Sequence, residues 1–345
     1  MNREPYLLPV TIVAVIGFAA LAGWFLKVPS DKTQVGYRGI GMEVNTNRKT
    51  SAALAALNAV PEPQPPLEAA EMEGPRASEV YKNVKVLGHL SEAQFNRVMA
   101  AITEWVSPEQ GCAYCHGEDG NFESDAPYAK VISRRMFEMT QYINGDWQKH
   151  VGQTGVTCYT CHRGKNVPEN IWFDNPERNA GRMVGNANGQ NKAGVKLAAF
   201  SSLPVDPLSK FAGGKEHPIR VQDQVAITKD FDKTIQDAEW TYSLMMHMSE
   251  SLGVNCTACH NTSTFGNWQQ STPQRVSAWH GIRMVGDLNA KFLDPLKDAY
   301  PAARLGPTGD APKANCATCH QGVQKPLYGA NMLKDYLASL TPPAK

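Results

Sequence analysis

The 345-residue sequence lacks a surplus of either charge: 34 Lys+Arg stand against 33 Asp+Glu, a formal net charge of +1. A balanced chain offers no clustered basic surface, so no nucleic acid is expected as a partner. With 42% apolar residues it is equally unlike a disordered acidic chain. Strand-like alternation is scarce, confined to Val80 to Leu90 and Ile219 to Ile227, which excludes a body built from sheets and points to a mainly α fold. Long apolar runs are missing too, with one exception. Leu7 to Leu26, LLPVTIVAVIGFAALAGWFL, carries no charge over 20 positions, and as a helix it would extend about 30 Å, the thickness of a bilayer's hydrocarbon core. A cleaved secretory signal has a shorter apolar stretch of about 7–15 residues. Residues 1–28 are therefore expected to form one N-terminal transmembrane helix, with Trp24 as an interfacial anchor. Flanking charge does not orient it, because Arg3 and the α-amine oppose Lys27, Lys32 and Arg38.

No cysteine is left over either. All eight fall into four C-x-x-C-H strings: Cys112-Ala-Tyr-Cys115-His116, Cys158-Tyr-Thr-Cys161-His162, Cys256-Thr-Ala-Cys259-His260 and Cys316-Ala-Thr-Cys319-His320. This is the attachment signature of a c-type haem, in which two thiols bond to the porphyrin and the adjoining His ligates iron. A disulfide framework has no need of His after every second Cys. Zinc half-sites do not place it there, and thioredoxin-like motifs do not recur four times without a βαβ pattern. Four covalently bound haem c groups are expected. Such haems are assembled outside the cytoplasmic membrane, which puts the N-terminus inside and the body in the periplasm.

From 29 to 78 the chain is Gly-rich, then Ala-rich, then carries Pro61, Pro63, Pro65 and Pro66, and is read as an extended Pro-rich strap on a partner or on the haem body. Residues 79–165 hold the first two strings and 231–330 the second two, with first cysteines 46 and 60 residues apart. This pattern suggests two pseudo-repeated two-haem modules, joined by a connector at 166–230 and followed by a C-terminal tail at 331–345. Helices are expected from Ser91 to Val106, where Ser91 and Gln94 make a capping box, from Ala129 to Ile143, from Lys233 to Leu252 and from Thr272-Pro273 onward.

Each iron needs a ligand on the face opposite its string His. A Met thioether raises the potential relative to a second His, and an open face permits substrate chemistry. Met99, Met136 and Met245 each sit on a helix shortly before a string, with Met139, Met246 and Met248 as local competitors. Histidines outside the strings are His89, His150, His217, His247 and His280. His150 is too near the second string to reach that haem's opposite face, although it could serve another.

VYKNVKVLG at 80–88, AITEWVSPEQGCAYCH at 101–116, HVGQTGVTCYTCHRG at 150–164, STPQRVSAW at 271–279 and CATCHQGVQKPLYGA at 316–330 closely resemble the tetrahaem cytochrome subunit of bacterial photosynthetic reaction centres. The resemblance implies three His/Met haems and one bis-His haem. Met99 would complete the first, Met136 the second, Met245 the third, and His150 the fourth. Duplication of the modules instead offers Met284 for the fourth. Arg275 and Arg283 match family positions near haem carboxylates, where a guanidinium favours the reduced iron. Many members are lipoproteins held by a modified N-terminal Cys. This chain has none, so the 7–26 helix would be its anchor.

Glu104, Glu109, Glu118, Asp119, Glu123 and Asp125 surround the first string with no Lys or Arg between them, a surface that would attract a basic soluble donor. The resemblance makes the chain an electron carrier and not an enzyme. It would take electrons from a soluble c-type cytochrome or a high-potential iron–sulfur protein and re-reduce the photo-oxidised bacteriochlorophyll pair held by the reaction-centre membrane subunits. The chain would be single-pass in the inner, photosynthetic membrane, with its haem body periplasmic. The alternatives are a membrane-anchored tetrahaem quinol dehydrogenase feeding a periplasmic reductase, and a multihaem reductase with a five-coordinate iron. Intact-mass measurement should find four added macrocycles; bare thiols would end the haem reading.

Overall fold

A computed structural model describes residues 7–25, 30–174, 202–214, 217–221 and 233–343. The body is mainly helical, and the expected helices form: Glu92–Val106, Tyr128–Asp146, Ile235–Leu252 and Pro273–Leu288. Local chemistry sets their ends. Ser91 accepts from the Gln94 amide at 3.2 Å while Gln94 returns to the Ser91 amide at 3.0 Å. Thr234 and Asp237 make a second capping box, and Gly253 closes that helix in the left-handed region at φ 62°. Thr272 and Pro273 open the last helix.

The strand expectation over 80–90 is corrected. Over 80–90 the backbone turns, held by a bridge between Arg76 and Ser91 that seats the Glu92–Val106 helix. Residues 219–221 are not strand, and 222–227 lie outside the described residues. The described sheet is an antiparallel hairpin, Ser30–Val35 on Met42–Asn47, at the start of the stretch read as an extended strap. It is followed by the Arg48–Leu57 helix, capped by Asn47, and the chain then runs without regular structure from Ala59 to Glu68. A two-stranded ribbon is marginal by itself, and this one is docked on the third string. Asn255 donates to the Met42 carbonyl at 3.0 Å, the Met42 amide donates to Thr257 Oγ1 at 2.9 Å, and Thr257 donates to Val35. Gly36, at φ +103°, lies so close that a Cβ there would meet the Thr257 carbonyl at 2.6 Å.

The stretch therefore lies on the haem body. Farther along, Arg97 holds the Gln64 and Pro65 carbonyls, and Tyr159 donates to Ala59 at 3.0 Å.

The first core joins Val98, Ala101 and Trp105 to Leu87, Leu90 and Phe137, and closes with Leu333, Tyr336 and Leu340 from the C-terminal segment. Residues read as a tail thus belong to the core of the first two-string region. A second cluster joins Ile143 and Val156 to Met284, Leu288 and Phe292 across the two halves. Among the described residues no helix is long and apolar enough to cross a membrane; side chains of the Leu7–Phe25 helix are described from Pro9 to Gly23 only. Those of Val10, Val13, Ile16 and Phe18 are exposed.

Two asparagines repeat one device. Asn144 donates to the Val156 carbonyl at 3.0 Å and accepts from its amide at 2.8 Å. Asn289 does the same to Ala314, at 3.0 and 2.8 Å. Each clamped residue stands two before the first Cys of its string. Asn289 is fully buried and also donates to Ala212 at 2.8 Å. Asn289→Ala should therefore cost about 2–4 kcal/mol, because it strands buried backbone groups. Chemical denaturation with the haems attached would show this as a lower unfolding midpoint.

Candidate functional site

Each string folds into a single turn: Ala113–His116, Cys158–His162, Cys256–Ala258 and Cys316–His320. One turn puts the two sulfurs, three residues apart, on one side and swings the next residue's imidazole beneath them. The imidazoles are held by the backbone. Nδ1 of His162 faces the Lys165 carbonyl at 2.8 Å, that of His260 the Phe265 carbonyl at 2.9 Å, and that of His320 the Val323 carbonyl at 3.1 Å. This contact sets the tautomer and leaves Nε2 for a metal. His116 differs: among the described residues no hydrogen bond of good geometry reaches its buried Nδ1, and its ring packs on Phe122 at 4.9 Å.

Burial pushes the pKa of all four rings down, that of His320 to about 4. They are therefore neutral at pH 7 with a lone pair to give. Burial also pushes the Cys158 and Cys316 thiols up to about 12 and Cys115 to about 11. Uncharged sulfur suits a thioether and not an ionic thiolate site. Neutral imidazoles, three of them held by a backbone carbonyl, beside the protonated thiols of Cys115, Cys158 and Cys316 fit covalent haem.

Met99, Cys112, Cys115 and His116 line one cavity of about 970 Å³, and Met136, Cys158, Cys161 and His162 line the same cavity. Thr103, one turn after Met99, reaches Cys112 Sγ at 3.9 Å. Met139 lines the cavity too, but it also packs on the cluster of Ile143 and Met284. Met245 packs beside Phe211, Trp240 and Leu244 before the third string. Met99 and Met245 each stand seven residues before their helix ends.

His150 and His320 come together. Their ring centroids are 6.0 Å apart, about the gap one metal needs to bind an imidazole on each side, with bonds near 2 Å. His150 Nδ1 is held by the Ser277 carbonyl at 2.9 Å. Met284, the competing candidate, is buried in the apolar cluster between the halves. His247 is buried in its helix beside Ser251.

The second and fourth strings pack against each other. Arg163 Nη2 donates to the Cys319 carbonyl at 3.2 Å, and Gln321 Nε2 donates to the Cys161 carbonyl at 3.2 Å. Both residues directly follow a string His and both sit in the left-handed region, at φ 52° and 48°. The Cys161 and Cys319 sulfurs are near enough that each perturbs the other's acidity. Arg163 keeps its Nε and Nη1 buried with no hydrogen-bond partner among the described residues. No pattern in the strings pointed to it. The only available signal was a charged residue in the tight turn that leaves the second string.

Arg275 donates to the Asn267 carbonyl at 3.0 Å and to Ser271 Oγ at 2.6 Å, stacks 4.1 Å over Trp268 and lies beside Cys259. Arg283 stacks 3.5 Å over Trp279. The acidic surface is weaker than its sequence suggests. Asp125 is bound by Arg134 at 2.9 Å and Lys85 at 3.0 Å, which hold its pKa well below the carboxylate range. Glu123 pairs with Lys82 at 3.4 Å. Glu109, Glu118 and Asp119 stay exposed, with Phe122, 61% exposed, beside His116.

Turns of this kind on a helical frame serve to bond several haems to one chain, and the protein is a multihaem c-type cytochrome. Residues 27–340 match the family described as photosynthetic reaction centre cytochrome C subunit, and the chain belongs to that family. Relatives bear the same description. The photosynthetic reaction center cytochrome c subunit of Rubrivivax gelatinosus is 51% identical over 328 residues, covering 94% of this chain and 88% of that protein. That of Thermochromatium tepidum is 49% identical over 308 residues, covering 89% and 74%. That of Roseobacter denitrificans is 43% identical over 345 residues, covering 94% and 89%.

Arg163→Gln removes a buried cation between two attachment sites, and a cation favours the reduced iron. The potentials of the haems on the second and fourth strings should fall by roughly 50–100 mV, the size of one charge acting about 10 Å away in protein. Redox titration of the variant checks this.

Proposed function

We propose that the chain passes electrons singly from a soluble donor to the photo-oxidised bacteriochlorophyll pair of the reaction-centre membrane subunits. Its family membership supports this reading, and one observation carries it: the second and fourth strings exchange hydrogen bonds through Arg163 and Gln321. Attachment points in mutual contact bring ring edges close, and electron tunnelling falls steeply with that gap. Each haem, when bound, supplies one iron that cycles between ferric and ferrous. The protein's part is to hold ligands, spacing and local charge. A quinol dehydrogenase rich in bis-His haems is not favoured, because only one described site pairs two imidazoles.

Met99, Met136 and Met245 are the opposite-face ligands of the first three haems in this proposal, and His150 is that of the fourth. Support comes from the shared cavity, the matching helix positions of Met99 and Met245, and the facing rings of His150 and His320. The paired Asn144 and Asn289 clamps support two repeated modules over 79–165 and 231–330, joined by the 166–230 connector. Residues 1–28 form the single-pass anchor in the photosynthetic inner membrane, with the body periplasmic; twenty uncharged residues and exposed apolar side chains support this. In cells lacking the reaction-centre membrane subunits, removing 1–28 should move the holoprotein from the membrane fraction to the soluble fraction.

The donor, a soluble c-type cytochrome or high-potential iron–sulfur protein, docks around Phe122, with Glu109, Glu118 and Asp119 supplying the remaining negative field. Flash excitation of native membranes should oxidise haem in this protein within one turnover, and absence of any light-induced haem oxidation would refute the relay. Glu118→Lys with Asp119→Lys should slow reduction by a basic donor several-fold at low ionic strength and little at high salt. A salt-independent rate would remove the acidic contribution.

A further inference from the structure

The Asn144 and Asn289 clamps fix the register between the two halves. With them superposed, Val131 matches Val276, Met139 matches Met284, Ile143 matches Leu288 and Trp147 matches Phe292. Met139 and Met284 also share one apolar cluster. Met284 is thus the counterpart of Met139, and the position equivalent to Met136 is held by Gly281.

Gly281 is buried inside the Pro273–Leu288 helix and has no positive φ. A helix interior disfavours glycine, so its presence calls for a packing reason. His150 supplies one. A Cβ at 281 would lie 2.5 Å from His150 Cε1, 2.9 Å from Nδ1 and 3.1 Å from Nε2. One turn earlier on the same helix, the Ser277 carbonyl holds Nδ1 at 2.9 Å. The imidazole fills the space a side chain at 281 would take, with the His320 ring 6.0 Å away.

We infer that Gly281 is a positioning residue that decides the ligand set of the fourth haem: where the first module carries Met136, the second carries no side chain, and the vacated space admits His150. This rests on the ligand assignment proposed above. His150 seated there also ties the halves together, because it follows the first module's long helix while Ser277, Gly281 and His320 belong to the second.

The test uses the full-length holoprotein and reads each haem by electron paramagnetic resonance, by the near-infrared band of methionine-bound ferric haem, and by redox titration. Wild type should show one bis-imidazole haem and three methionine-bound haems. If it shows no bis-imidazole signal, the ligand assignment itself fails. Given that signal, Gly281→Ala should abolish it, and its persistence would overturn the role of Gly281. His150→Ala should leave one ferrous haem able to bind carbon monoxide. His150→Ala with Gly281→Met should lose that binding, gain a fourth methionine signal and shift the corresponding potential upward. Retained carbon monoxide binding in the double variant would count against the inference even if Gly281→Ala failed to fold.

Discussion

The hydrogen bond from a ring Nδ1 to a backbone carbonyl is the contact on which the rest depends. It fixes the tautomer of His162, His260, His320 and His150, and it aims the other nitrogen at a defined point. A free imidazole on a surface turn would sample several rotamers and lose ligand strength to entropy. Here each accepting carbonyl lies within a few residues of its ring, except for His150, whose acceptor comes from the opposite module. That exception gives the fourth site its long-range character: its geometry depends on two helices keeping their relative position, which the cluster of Ile143, Val156, Met284, Leu288 and Phe292 ensures.

The halves repeat in detail and diverge where function differs. Near the end of each long helix a buried Asn clamps the residue two before a string, and both strings leave through a left-handed residue that bonds across to the other. From Asn144 to Cys158 is fourteen residues, and from Asn289 to Cys316 is twenty-seven. The second module holds its extra length in the short turns of Asn289–Leu293, Asp294–Ala299 and Ala302–Arg304. In that insertion Lys313, itself buried, pairs with Asp310 and stacks 4.9 Å from Trp172, securing the connector's start. Register inside the long helices is untouched, which is why Gly281 can be compared with Met136.

Much of the fold was legible from local signals. Ser91 with Gln94, Thr272 with Pro273 and Gly253 marked helix ends because capping chemistry acts within four residues. Val80 to Leu90 misled because its alternating apolar residues face a helix and not a second strand. The Ser30–Val35 and Met42–Asn47 hairpin was missed because its residues are mostly polar and its stability comes from Thr257 and Asn255, more than two hundred residues away. The packing of Leu333, Tyr336 and Leu340 into the first core was hidden for the same reason.

The sequence by itself determined that four haems attach, at which cysteines and histidines, because Cys-x-x-Cys-His carries all of that chemistry in five consecutive residues. Duplication read from the sequence put Met284 forward as a ligand, and only the hydrogen-bonded clamps of Asn144 and Asn289 showed it to be the counterpart of Met139. Only the tertiary structure decided that His150 faces His320, that Arg163 lies buried between two strings, and that Asp125 and Glu123 spend their charge on neighbouring cations. Those outcomes depend on which surfaces meet. A short motif specifies covalent chemistry through its own spacing, whereas an opposite-face ligand or a buried charge acquires its role from residues that only folding brings near.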